Sequence, residues 1–183
     1  VVEKLLEHGA NASIAMHNGV TPLYVAAEFD RSDVIRRLLE IFDPRRSIIK
    51  SGGFSPLHVA AERNSTRALQ TLLDDGRLAV NGLSDDGCTP LYYGARNGSH
   101  QTVELLLRRG ADASIANKYG EYPAQAAASK GHHELAASLE KHQSASEAKA
   151  RARRRRDRQA MILSAQGPAL PSASHCSSRP GRQ

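Results

Sequence analysis

The residues of this chain with chemistry to offer fall into four groups. The densest is Arg151-Ala152-Arg153-Arg154-Arg155-Arg156-Asp157-Arg158, a basic run of the kind that binds nucleic-acid phosphates, acidic protein surfaces, anionic membranes or import receptors. No aromatic is interleaved among Arg151, Arg153, Arg154, Arg155, Arg156 and Arg158. The run therefore offers charge without base stacking, and any nucleic-acid binding by it is expected to be salt-sensitive and nearly blind to sequence. The second group, His132-His133-Glu134, has metal-ligand types, but Ala137 stands four residues beyond His133, where a helix would need its next ligand. Those histidines read as structural or solvated. The third group comprises the carboxylate pairs Asp74-Asp75 and Asp85-Asp86; neighbours in sequence splay apart on a loop or helix end rather than share a proton, so they read as solvated charge. The last is Cys88, expected on an oxidisable loop tip with no resolving cysteine near it, since Cys176 is 88 positions away. Reduced thiols and no disulfide framework are expected. There is no phosphate-cradling glycine loop, serine nucleophile elbow or Cys-x-x-Cys pair. No catalytic residue, cofactor site or metal site is assigned, and no small-molecule substrate is expected.

Charge separates two regions of the 183 residues. Residues 1–142 carry 16 Lys and Arg against 17 Asp and Glu, whereas residues 143–183 carry 9 against 2. The second region has only Met161, Ile162, Leu163 and Leu170 as large apolar residues, with seven Ser and three Pro, too little to offset the entropy of ordering. A boundary is placed near His142. Ala148-Lys149-Ala150 and Gln159-Ala160-Met161-Ile162-Leu163 flank the Arg run with helix-compatible residues, so a partner could draw it into a helix, but in isolation it is expected to be largely disordered.

The first region is built from repeats. Thr21-Pro22-Leu23-Tyr24, Ser55-Pro56-Leu57-His58, Thr89-Pro90-Leu91-Tyr92 and the worn Tyr122-Pro123-Ala124-Gln125 recur at intervals of 34, 34 and 33. Gly19, Gly53, Gly87 and Gly120 keep those intervals two places earlier, and Asp30, Asn64, Gly98 and Gly131 keep them nine places later. Val2, Ile35, Leu69, Val103 and Ala136 form a further column, with Leu5, Leu38, Leu72, Leu106 and Leu139 three residues on.

Each column has a physical reading. A hydroxyl followed by proline is an N-cap and a preorganised first turn, which predicts helices beginning at 22, 56 and 90; Tyr122 cannot cap in that way. Alanine pairs at 26–27, 60–61 and 127–128, with Gly94-Ala95 in the third unit, let helices lie close together. Asp30, Asn64, Gly98 and Gly131 tolerate a left-handed backbone and suit a tight turn. The apolar columns then predict a second helix, ended by Gly76 or Gly110. Gly94 inside a helix costs ~1 kcal/mol relative to Ala, which predicts a soft third repeat.

The 33-residue period, the Thr-Pro-Leu-His type motif, paired alanines and Leu106-Leu107-Arg108-Arg109-Gly110-Ala111-Asp112 resemble the ankyrin repeat. The resemblance implies an all-α solenoid of helix-turn-helix units joined by hairpin-like loops. Residues 1–16 resemble the second helix and loop of a truncated repeat, 17–49, 50–83 and 84–116 full repeats, and 117–142 a degenerate closing repeat; 143–183 is the basic tail. Gln125 and Glu140 replace His and Leu in the closing repeat, as an end that meets water requires. The first unit lacks its first helix, leaving Val2, Leu5 and Leu6 bare, so a fragment of a longer array is expected. Phe42-Asp43-Pro44 interrupts the loop pattern and predicts an irregular hairpin. Tyr24 and Tyr92 replace the family's His, leaving His58 alone to tie neighbouring loops.

The family's geometry also implies an outward set: His17, Asn18, Val20, Glu28, Phe29, Ser51, Phe54, Glu62, Arg63, Asp85, Asp86, Cys88, Arg96, Asn97, Lys118, Tyr119, Glu121, Ser129 and Lys130. Aromatics and arginines dominate binding hot spots. A protein-binding surface is therefore expected to centre on Phe29, Phe54, Arg63 and Arg96, with Tyr119 beside them; the plainer reading has the two Phe rings packing against neighbouring loops. The expected function is an adapter or scaffold that binds another protein through the concave face. Alternatives are a nuclear or nucleic-acid-associated protein acting through the Arg run, and the recognition arm of a larger enzyme or signalling protein. No stretch approaches the ~20 apolar residues of a membrane span, and a monomeric, intracellular protein, cytoplasmic or nuclear, is expected.

Overall fold

The computed structural model describes Lys4, His8, Asn11 and residues 14–17, 19–47 and 52–165. Most of the truncated unit over 1–16 and the final stretch 166–183 lie outside the described residues. Among the described residues the regular elements are all helical: α1 (Pro22–Glu28), α2 (Ser32–Ile41), a 3-10 turn (Pro44–Ser47), α3 (Pro56–Glu62), α4 (Thr66–Asp75), α5 (Pro90–Arg96), α6 (His100–Arg108), α7 (Pro123–Ser129) and α8 (His133–Ala165). None of them is long and apolar enough to cross a membrane.

The short helices start where the hydroxyl-proline pairs stand. The Thr21 Oγ1 accepts the Tyr24 N–H at 3.3 Å and the Thr89 Oγ1 accepts the Tyr92 N–H at 3.2 Å, satisfying donors that a helix start leaves open. At α3 the bond is also reciprocal, with the Ser55 N–H donating to His58 Nδ1 at 3.1 Å. Tyr122 has no hydroxyl in reach, and its N–H donates to Gln125 Oε1 at 2.9 Å instead. Gln125 thus does for α7 what His58 Nδ1 does for α3.

Ala26, Ala27, Ala60, Ala61, Ala95, Ala126 and Ala127 are all buried, and these small side chains let α1 pack on α3, α3 on α5 and α5 on α7. The second helices bury Ile35 and Leu38, Leu69 and Leu72, Val103 and Leu106, and Leu135 and Leu139 beneath them. Each fully buried Leu stabilises the stack by ~2 kcal/mol relative to exposure.

All four turn residues adopt the expected left-handed backbone: Asp30 at φ 53°, Asn64 at 57°, Gly98 at 69° and Gly131 at 84°. The non-glycine members repay the strain by reaching forward one repeat. Asp30 Oδ1 accepts the Ala68 N–H and Asn64 Oδ1 accepts the Thr102 hydroxyl, both at 2.7 Å. At Gly98 the corresponding space holds the ring of His132, whose Nδ1 would lie 2.6 Å from an added Cβ.

Two features differ from the repeat pattern. After α2 the hairpin gives way to the 3-10 turn, whose buried Ser47 accepts the Thr21 hydroxyl at 2.8 Å, as the Phe42-Asp43-Pro44 interruption predicts. The second concerns the tail from residue 143, expected to be largely disordered: α8 continues to Ala165. Residues 133–165 contain neither Gly nor Pro and are rich in Ala, Arg, Glu, Lys and Gln, so helix propensity alone favours continuation even without an apolar stripe. The chain divides into two compact units, Val1–Glu147 and Ala148–Gln183, a few residues beyond His142.

Candidate functional site

The loop face of the array is stitched from one repeat to the next. The Asp85 N–H donates to the Gly52 carbonyl and the Lys118 N–H to the Asp86 carbonyl, both at 2.9 Å. Gly53, at φ 65°, is required by this approach, since a Cβ there would lie 2.8 Å from the Asp85 nitrogen. Beneath the loops, His58 Nε2 donates to the Cys88 carbonyl at 3.1 Å. Because Nδ1 accepts the Ser55 N–H, the proton must sit on Nε2, and burial lowers the pKa of this ring from 6.5 to about 4.

Sequence reasoning left His58 as the sole tie between loops; the structure corrects this. The Tyr92 hydroxyl, at the same register position one repeat later, donates to Glu121 Oε2 at 2.6 Å. A phenol replaces the imidazole as donor but finds a carboxylate rather than a carbonyl. A second stitch, at the far end of the repeats, was not legible as such. Asn81 Nδ2 donates to the Gly110 carbonyl at 3.2 Å, and its Oδ1 accepts the Asp112 N–H at 2.9 Å. Asn81 pairs with Gly-Ala-Asp, and the signal was the Val80-Asn81 that follows Asp75-Gly76.

Cys88 is also corrected. It is buried rather than presented on a loop tip, its N–H donating to Ser84 Oγ at 3.1 Å. Burial pushes the thiol pKa up, which disfavours the reactive thiolate.

The expected binding residues divide into separate environments. Phe54 is only half exposed, its ring 4.7 Å from that of Tyr93 and 5.5 Å from that of His58; the plainer packing reading holds for it. Phe29, 65% exposed, caps the C-terminus of α1 and lines an apolar groove of about 490 Å³ with Ile14, Met16, Val20, Val25 and Val34. Arg63 caps α3 and donates to Glu28 Oε1 at 2.8 Å. Arg96 and Tyr119 share a polar groove of about 370 Å³ with Asp86, Glu121 and Lys130. Phe29 and Arg96 thus each line a groove of their own, one apolar and one polar. Asn18 and Ser51 lie outside the described residues.

Tyr119 is 81% exposed, yet its loop is firmly held. Asn117 Oδ1 accepts the N–H groups of both Tyr119 and Glu121 at 3.0 Å, an Asx-type arrangement. A large ring standing in water on a fixed backbone, beside two cations and two carboxylates, can stack on and hydrogen-bond a polypeptide. The stack of short capped helices, left-handed turns and stitched loops defines a helical repeat array. Residues 43–117 match the family model for ankyrin repeats, in three copies. Over that span the chain carries ankyrin repeats, and such repeats generally serve as protein-protein interaction modules. A comparison with curated proteins returns no match.

Proposed function

We propose that the array is an adapter or scaffold module that recruits a partner protein through the face made by its first helices and loops, with the Arg96–Tyr119 groove as its centre. The observation that supports this is Tyr119, an aromatic ring left in solvent on a loop that Asn117 fixes. Aromatic and arginine side chains presented on a rigid backbone bind at low entropic cost. Serving as the recognition arm of a larger enzyme or signalling protein would use the same surface, with the chemistry supplied by other residues than these.

The test begins with affinity capture on the intact chain and identification of a bound protein. Its affinity is then measured for the intact chain, for Arg96→Ala with Tyr119→Ala, and for Phe29→Ala with Arg63→Ala. A central hot spot predicts a loss of about thirtyfold or more for the first pair. An unchanged Kd in that pair, with the thermal unfolding curve also unchanged, removes the groove as the binding centre.

A further inference from the structure

The unit from Ala148 presents a second surface, independent of the repeats. Residues 148–161 of α8 are all exposed, and 148–165 hold seven cations against the single carboxylate Asp157. On a helix with 100° per residue, Arg151, Arg154, Arg155 and Arg158 share one face, whereas Lys149, Arg153 and Arg156 share the opposite face. Arg153 stands 3.9 Å from Asp157, a weak exposed pair, and cations outnumber carboxylates seven to one over 148–165. Between the two stripes lie Ala148, Ala150, Ala152 and Gln159.

That distribution discriminates between polyanions. A helix lying on an anionic membrane needs an apolar face of Leu, Phe or Trp opposite its cations, and here the opposite face is cationic. Single strands are held by stacking on aromatics, and this unit has none. A duplex major groove is about 12 Å wide and flanked by a phosphate ridge on each side, and a helix with its side chains is about 10–12 Å across. Cations on opposite faces then reach opposite ridges at once.

We propose that the Arg-rich segment of α8 is a sequence-independent site for duplex DNA, lying in the major groove with Arg151, Arg154, Arg155 and Arg158 on one phosphate ridge and Lys149, Arg153 and Arg156 on the other. Lys149, Asp157, Gln159 and the arginines are types that can pair with base edges, but cations directed to phosphates position the helix without specifying sequence.

The experiment is fluorescence anisotropy of the intact chain with a labelled random-sequence 20-base-pair DNA duplex, at several salt concentrations between 50 and 200 mM. Two variants neutralise one face each: Arg154→Ala with Arg155→Ala, and Arg153→Ala with Arg156→Ala. Alanine keeps helix propensity high, and circular dichroism checks that it does. The intact chain is expected to lose about 10³- to 10⁵-fold in affinity across that salt range, and each variant to flatten the log–log salt slope by about two. Any of three results overturns the proposal: a salt slope altered by only one of the two variants, binding to a single-stranded oligonucleotide as tight as to the duplex, or tighter binding to phosphatidylserine vesicles at equal salt. Loss of a protein partner through Tyr119 would leave these readings untouched, so the two surfaces fail separately.

Discussion

The His58 ring donates from Nε2 to the carbonyl oxygen of Cys88, 3.1 Å away and 30 residues further along the chain. Its other nitrogen accepts the Ser55 N–H. One neutral imidazole thereby caps its own helix and ties its repeat to the next, and only the singly protonated ring can do both.

This makes acid a specific threat to the second repeat. The folded pKa, about 4, lies below the unfolded value near 6.5, so the unfolded chain binds the extra proton first. Stability from this site is complete above pH 6.5 and declines as pH falls from there to about 4, by on the order of 3 kcal/mol. His58→Gln offers the acceptor that Gln125 supplies at α7 and has nothing to titrate. Urea unfolding at pH 7, 5.5 and 4.5 is expected to show the intact chain losing stability faster than the variant. Parallel curves would show that His58 is not the source.

Two glycines of the third repeat should respond to alanine in opposite directions. Gly94 is helical, and an added Cβ would meet Val103 Cγ2 at 3.4 Å, Thr102 Cγ2 at 3.5 Å and Ala61 Cβ at 3.9 Å, ordinary packing distances. Gly94→Ala is expected to gain ~0.5–1 kcal/mol from helix propensity. Gly98→Ala meets a left-handed backbone and the His132 ring, and is expected to lose more than ~1 kcal/mol. Thermal unfolding of both variants decides the signs.

The columns that were legible in sequence are those whose physics is local. A Thr-Pro pair caps whatever follows it, and Asp30 and Asn64 tolerate positive φ by their own chemistry. Contacts across repeats were less so. Nothing in Tyr92 announces Glu121 as acceptor, because that pairing depends on how two loops stack. The family's geometry places Phe54 and Cys88 outward, whereas the Phe54 ring packs on those of His58 and Tyr93 and Cys88 is buried with Tyr92 and Tyr93. Over 143–165 the scarcity of apolar residues points to disorder, whereas a run of good helix formers without Gly or Pro continues the helix without burial.

Arg77 replaces the regular hairpin that the first full repeat lacks. Its guanidinium donates to the Leu39 carbonyl at 2.7 Å and the Phe42 carbonyl at 3.4 Å, while Asp75 grips it at 2.7 Å through both Nε and an amino group. These carbonyls belong to the C-terminal end of α2, where acceptors lack helical partners. Arg77→Ala is expected to cost ~1 kcal/mol in urea unfolding. Arg77→Lys should recover only part of that, since an ammonium cannot hold the fork with Asp75 and reach both carbonyls. Full recovery by Lys would reduce the interaction to simple charge.

Phe54 and Tyr119 separate folding from recognition. Phe54 contacts the Tyr93 and His58 rings, so Phe54→Ala removes half-buried aromatic packing and is expected to cost ~1–3 kcal/mol, less than a fully buried Phe. Tyr119 is held to Asn117 through its backbone N–H, which alanine retains, and Tyr119→Ala should stay within ~0.5 kcal/mol of the intact chain. Urea midpoints for the two variants, measured beside partner affinity, give the contrast directly. If Tyr119→Ala lowers affinity at constant stability, the ring reads a partner. If Phe54→Ala leaves stability unchanged, its ring is not the support for His58 that the packing describes, and it returns to the set of recognition residues.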